Sequence, residues 1–70
     1  MNLSGPLRRD GTRWTLRDSA TGKTYELEGA DFPPRMDGLA ARVTGVLADS
    51  FGAGLGTELP VVHVQRWSAA

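Results

Sequence analysis

Arginine supplies the chain's best candidate chemistry. Arg8, Arg9, Arg13 and Arg17 fall within one short stretch near the start. In an extended strand, Arg13 and Arg17 point to the same side with Thr15 between them. Guanidinium groups make planar, paired contacts to phosphate or carboxylate oxygens, so a stripe of them suits an anionic ligand. A simpler use competes with this. Arg13 can meet Glu28, and Arg17 can meet Glu26 diagonally, as ordinary cross-strand pairs. Each pair would contribute about 0.2–1 kcal/mol, and the sequence alone favours this second use.

The other candidates are weaker. Gly52-Ala53-Gly54-Leu55-Gly56 looks like a phosphate cradle. Such cradles depend on a helix N-terminus that presents free N–H groups. Here Thr57-Glu58-Leu59-Pro60 follows and leads toward a strand, and the Lys-Ser/Thr of a P-loop is missing. A strand connector is the better reading. Phe51 and Leu55 in that connector either fold over an open barrel end as a lid, which we favour, or offer an apolar contact to a partner. His63 is the one histidine. With Asp49 and the serines it makes no recognisable nucleophile elbow, and a lone imidazole is too few ligands for a metal. We therefore expect no catalytic residue, no metal site, no cofactor and no enzymatic activity.

Composition narrows the classes further. Seventy residues make one domain, spanning 1–70. A chain this short buries only about 60% of its unfolded surface, so its stability is modest. There is no cysteine, so neither disulfides nor thiolate zinc sites assist. That absence fits a reducing cytoplasm. Eight basic residues balance eight acidic ones, and seven of the basic ones are arginine. A neutral chain lacks the long-range field of a dedicated nucleic-acid binder. No stretch approaches the roughly 20 apolar residues of a membrane helix, and the first ten residues hold no signal-peptide core. A soluble, cytoplasmic protein is expected.

The elements that position these residues are strands. Nine glycines and four prolines cut the chain into short pieces. Residues 13–17 and 23–28 alternate polar and apolar around the turn formers Asp18-Ser19-Ala20-Thr21-Gly22. If Asp18 pairs with Lys23, then Leu16 faces Tyr25 and Trp14 faces Leu27 on one side. Arg17 then faces Thr24, Thr15 faces Glu26 and Arg13 faces Glu28 on the other. A slip of one residue would mismatch both faces, so the register is well specified. With Trp14 and Tyr25 inward, the arginine face lacks rings on which bases stack, and nucleic-acid binding there would be weak.

A first strand over 3–9, bent at Gly5-Pro6, joins this hairpin through Asp10-Gly11-Thr12. After a crossing in which Phe32 and Met36 plug one end and Pro33-Pro34 fix the loop, 39–48 form a fourth strand. Gly45 marks curvature or a close neighbour there. A fifth strand runs 59–67 with Val62 and Val64 inward. Trp67 breaks that parity, so a bulge precedes it or it lies outside. The expected core is Leu7, Trp14, Leu16, Tyr25, Leu27, Phe32, Leu39, Val43, Leu47, Val62 and Val64.

The run Gly22-Lys-Thr-Tyr-Glu-Leu-Glu-Gly29, then Arg42-Val-Thr-Gly45, a glycine-rich stretch, and the closing Val64-x-x-Trp67 resembles small bacterial OB-like domains of unknown function. The resemblance covers roughly 4–67. It implies an all-β, five-stranded OB-like barrel and brings no catalytic residues. An SH3-like barrel is the alternative fold. The wider OB class often binds oligonucleotides or oligosaccharides across the outer face of strands 2 and 3. The reading taken forward is a non-enzymatic interaction module that binds a protein partner or a second copy of itself. Weak single-stranded nucleic-acid binding through Arg8, Arg9, Arg13 and Arg17 is the alternative.

Overall fold

The two alternating segments pair as their pattern dictates. In the computed structural model, which describes residues 1–48 and 59–70, β2 (Arg13–Arg17) and β3 (Thr24–Glu28) form an antiparallel hairpin. Its register is Trp14 to Leu27, Thr15 to Glu26, Leu16 to Tyr25 and Arg17 to Thr24. The turn closes as expected, with the Asp18 N–H donating to the Lys23 carbonyl at 2.8 Å.

The strand β1 (Asn2–Asp10) serves two neighbours. Its first half, Asn2–Pro6, pairs with β4 (Ala40–Leu47), and Leu7–Asp10 pair with β2. The bend lies at Gly5-Pro6. A Cβ at Gly5 would collide with the Arg17 carbonyl oxygen and lie 3.2 Å from Ser19 Oγ. Only glycine lets the two backbones approach this closely. The last strand, β5 (Val61–Ala69), pairs antiparallel with β4 and parallel with β3 over Glu26–Glu28. The result is an all-β closed barrel in the order β1-β2-β3-β5-β4. Among the described residues the only helix is a 3₁₀ turn at Pro34–Met36, and none is long and apolar enough to cross a membrane.

The interior holds Leu3, Leu7, Trp14, Leu16, Tyr25, Leu27, Phe32, Met36, Ala41, Val43, Val62 and Val64. Two expected members are absent. Leu39 is 51% exposed because it precedes β4 and belongs to the turn, where its carbonyl accepts the Leu7 N–H. Leu47 pairs with Val62 on the inward parity but ends its strand at the barrel rim, 58% exposed. Leu3 and Ala41 join the interior in addition to the expected residues, as does Met36 from the crossing. Phe32 and Met36 do plug one end. The Phe32 ring lies 5.2 Å from that of Trp14 and 4.8 Å from that of Trp67.

Trp67 reaches this cluster through a bulge. Thr44 pairs with Arg66 and Gly45 with Val64, so Gln65 is the extra residue on β5. The bulge flips parity and turns Trp67 inward, half-buried. Gly45 lies beside it. A Cβ there would collide with the His63 carbonyl oxygen and approach Val62 Cγ1 to 2.9 Å.

One polar group is buried within the framework. Asp18 is 7% exposed. Its Oδ1 accepts the Ser4 N–H at 3.2 Å and its Oδ2 accepts the Thr21 hydroxyl at 3.0 Å. The Ser19 N–H donates to the Ser4 carbonyl at 2.8 Å. The β2–β3 turn is therefore fastened to β1 by side chain and backbone together.

Candidate binding face

Strand parity sorts the four arginines. Leu7 faces inward opposite Leu16, so Arg8 stands outward opposite Thr15. Arg13, Thr15 and Arg17 line the same outer face on β2. Arg8 is thus the diagonal neighbour of both Arg13 and Arg17, about 7–8 Å away across the strands. Arg9 separates from them. It pairs with Trp14, on the opposite parity. Its Nε–H donates to the Gly11 carbonyl at 2.9 Å, and its backbone N–H donates to Asp37 Oδ1 at 3.1 Å. Arg9 fastens the β1–β2 turn and leaves a group of three arginines on the outer face.

The expected arginine–glutamate pairs do not form. Among the described residues the one acid–base contact within 4.0 Å joins Glu28 Oε2 to His63 Nδ1, at 3.4 Å. Parallel pairing explains it. Glu28 lies beside His63 across the β3–β5 seam, so it turns toward β5 and away from Arg13. His63 is exposed but stands over Gly29, where a Cβ would come within 2.7 Å of its ring. Glu26 is half-buried opposite Thr15 and does not close on Arg17 within 4.0 Å.

The outer face is concave where two of the three arginines meet. Pro6, Arg8, Thr15, Arg17, Thr24 and Gly38 line an open cleft of about 390 Å³. Gly38 sits at φ 87°, and its N–H donates to the Leu7 carbonyl at 2.8 Å, which holds the crossing loop against the rim of the cleft. The cleft therefore offers two guanidinium groups and two threonine hydroxyls. Two like charges set side by side repel each other. An oxyanion between them would remove that repulsion and accept several charge-assisted hydrogen bonds.

A second basic pair lies elsewhere on the barrel. On the wall formed by β4 and β5, Arg42, Thr44, Arg66, Trp67 and Ser68 line a separate depression of about 240 Å³. Arg42 and Thr44 were legible as outward residues from the inward parity of Ala41 and Val43. Arg66 was not, because its orientation depends on the bulge at Gln65. Among the described residues no group of three or more His, Asp or Glu side chains is placed to hold a metal ion. Phe51 and Leu55 lie outside the described residues. No family model, no characterised protein and no solved structure matches the chain.

Proposed function

We propose that this barrel is a non-enzymatic interaction module that binds an acidic segment of a protein partner across the outer face of β1, β2 and β3. One observation carries the reading. Arg8 and Arg17 share a cleft with Thr15 and Thr24, and no carboxylate among the described residues lies within 4.0 Å of either guanidinium. Arginines that meet no carboxylate among the described residues, while glutamates stand one strand away, are suited to carboxylates from another chain. Arginine suits this role because its fork grips a carboxylate in a plane.

The barrel itself we read as OB-like rather than SH3-like. The division of β1 between β2 and β4 and the parallel pairing of β3 with β5 support this. That class uses the same outer face for ligands, an analogy of fold that carries less weight than the cleft. Nucleic acid would use the same arginines. Against it, Trp14 and Tyr25 are buried at 8% and 9% exposure, so neither offers a stacking surface.

Fluorescence anisotropy with a labelled Glu-rich peptide at low and physiological salt tests the reading. Binding should weaken as salt rises. It should be lost on Arg8→Glu plus Arg17→Glu and retained on Arg42→Glu plus Arg66→Glu. Equal losses from the two double variants would refute a specific site on the β1–β3 face.

A further inference from the structure

The last part of β5 has an edge to which no described strand pairs, away from the arginine cleft. Pairing of β5 with β3 ends at His63, whereas pairing with β4 continues to Ala69. The orientation of the remaining backbone follows from the alternation along β4. Gly45 bonds to Met1, on the β1 side, while the Ala40 carbonyl accepts the Ala70 N–H at 3.1 Å, on the β5 side. Ala41 and Val43 share the parity of Gly45 and also turn toward β1. Their β5 partners are Ala69 and Trp67. Those two residues therefore aim their N–H and C=O groups away from β4. Among the described residues no backbone hydrogen bond reaches them from that side.

Unpaired edges are usually blunted by lysine, proline or a covering loop. Here Gln65–Ala69 contains neither lysine nor proline, and Gln65, Arg66, Ser68 and Ala69 are all exposed. An edge of this kind is completed by another extended strand.

We propose that the occupant is the same edge of a second copy, paired antiparallel about a two-fold axis at Ser68. This register uses the outward N–H and C=O groups of both Trp67 and Ala69. Trp67 lies opposite the partner's Ala69, and Ala69 opposite the partner's Trp67, so each pair exchanges two hydrogen bonds. Side-chain size agrees, because each large indole meets a methyl group. Charge agrees as well. Arg66 is the only charged residue of Gln65–Ala69. In this register the two Arg66 side chains stand about 13 Å apart along the strands, beyond the screening length of about 8 Å at physiological salt. Centring the axis on Trp67 would set indole against indole and leave the groups of Ala69 facing the bulge. The net charge of zero adds no general repulsion between copies. A contact of one strand per chain is small, so the dimer is weak and concentration-dependent.

Sedimentation velocity from about 10 μM to about 1 mM, with amide hydrogen exchange at both ends of the range, tests this. The expected result is a monomer–dimer equilibrium in which the Trp67 and Ala69 amides gain protection as concentration rises. Ala69→Pro removes the donors of two of the four bonds and none of those to β4. Proline is tolerated where an edge N–H faces solvent. This variant should weaken dimerisation by at least about tenfold while leaving the thermal transition of the monomer in place. Should Ala69→Pro fail to fold, Ala69→Arg leaves the backbone intact and crowds the facing indole, with the same expected loss. A monomer at every concentration, a dimer unaffected by the variant that folds, or protection gained elsewhere on the barrel would overturn the proposal. None of these results would alter binding of the Glu-rich peptide, which separates the two proposals.

Discussion

Replacing Asp18 with alanine should destabilise the barrel more than any other change to a polar residue. The carboxylate is buried and accepts two hydrogen bonds, from the Ser4 amide and the Thr21 hydroxyl. Hydrogen bonds to charged groups contribute roughly 1.5–3 kcal/mol each. Truncation also leaves the Ser4 N–H unpaired where β1 bends over the turn. The Thr21 hydroxyl can turn to water, so the two losses do not sum fully, and a cost of about 2–4 kcal/mol is expected. A 70-residue domain has only about 3.5–10 kcal/mol of stability in total. At about 4–8 °C per kcal/mol for a domain of this size, the melting temperature should fall by about 8–32 °C. Asp18→Asn keeps an acceptor for the Ser4 amide and should cost about 1 kcal/mol. Thr21→Val should cost a similar amount alone and less in the Asp18→Ala background, where its hydroxyl keeps only the Lys23 N–H, at 3.3 Å. Urea melts of the four proteins in that double-mutant cycle measure these quantities. An Asp18→Ala protein within about 0.5 kcal/mol of the parent, or additive effects of Asp18→Ala and Thr21→Val, would refute the clamp.

Other predictions concern packing, curvature and binding. Leu16→Ala should cost roughly 2–5 kcal/mol, as full burial implies, and Thr15→Ala under about 0.5; equal losses in urea would mean the inward face is misassigned. Gly45→Val should unfold the domain although valine favours strands, because the new Cβ meets the His63 backbone oxygen. A folded Gly45→Val protein by circular dichroism would show that the β4–β5 contact is looser than described. Single-stranded homopolymers should bind no tighter than about 1 μM at physiological salt, as read by fluorescence anisotropy, because the rings of the arginine-bearing hairpin, Trp14 and Tyr25, are buried and cannot supply stacking worth about 1–3 kcal/mol per base. A nanomolar complex lost on Arg13→Glu plus Arg17→Glu would reverse the ranking of ligands.

Local patterns carried most of what could be read from the sequence. The β2–β3 register was legible because one pairing satisfies the inner row of Trp14, Leu16, Tyr25 and Leu27 and the outer row together. Gly5-Pro6 announced a bend, and Trp67 announced either a bulge or an outward position, each by breaking a strand rule. Features that depend on distant segments were not legible. The parallel contact of β3 with β5 joins residues far apart in the chain; it draws Glu28 to His63, and among the described residues Arg8, Arg13 and Arg17 meet no carboxylate within 4.0 Å. Asp18 read as a turn former, and nothing in its neighbourhood showed that β1 would lay the Ser4 amide against its carboxylate. Leu39 and Leu47 were placed inside because parity along a strand does not say where the barrel wall stops. The cleft between Arg8 and Arg17 combines these two kinds of feature. Its arginines follow from alternation, but its depth depends on Pro6 and Gly38, which reach it from the bend and the crossing loop.

The most direct test of the acidic-partner reading is chemical-shift mapping by NMR, titrating the ¹⁵N-labelled protein with an unlabelled Glu-rich peptide and following backbone amides and arginine Nε–H signals. The largest, saturable changes should fall on Arg8, Thr15, Arg17 and Thr24, with Arg13 next and with Arg42, Thr44 and Arg66 unmoved. Changes centred on the β4–β5 wall, or none at millimolar peptide, would contradict the assignment of the β1–β3 face as the binding surface.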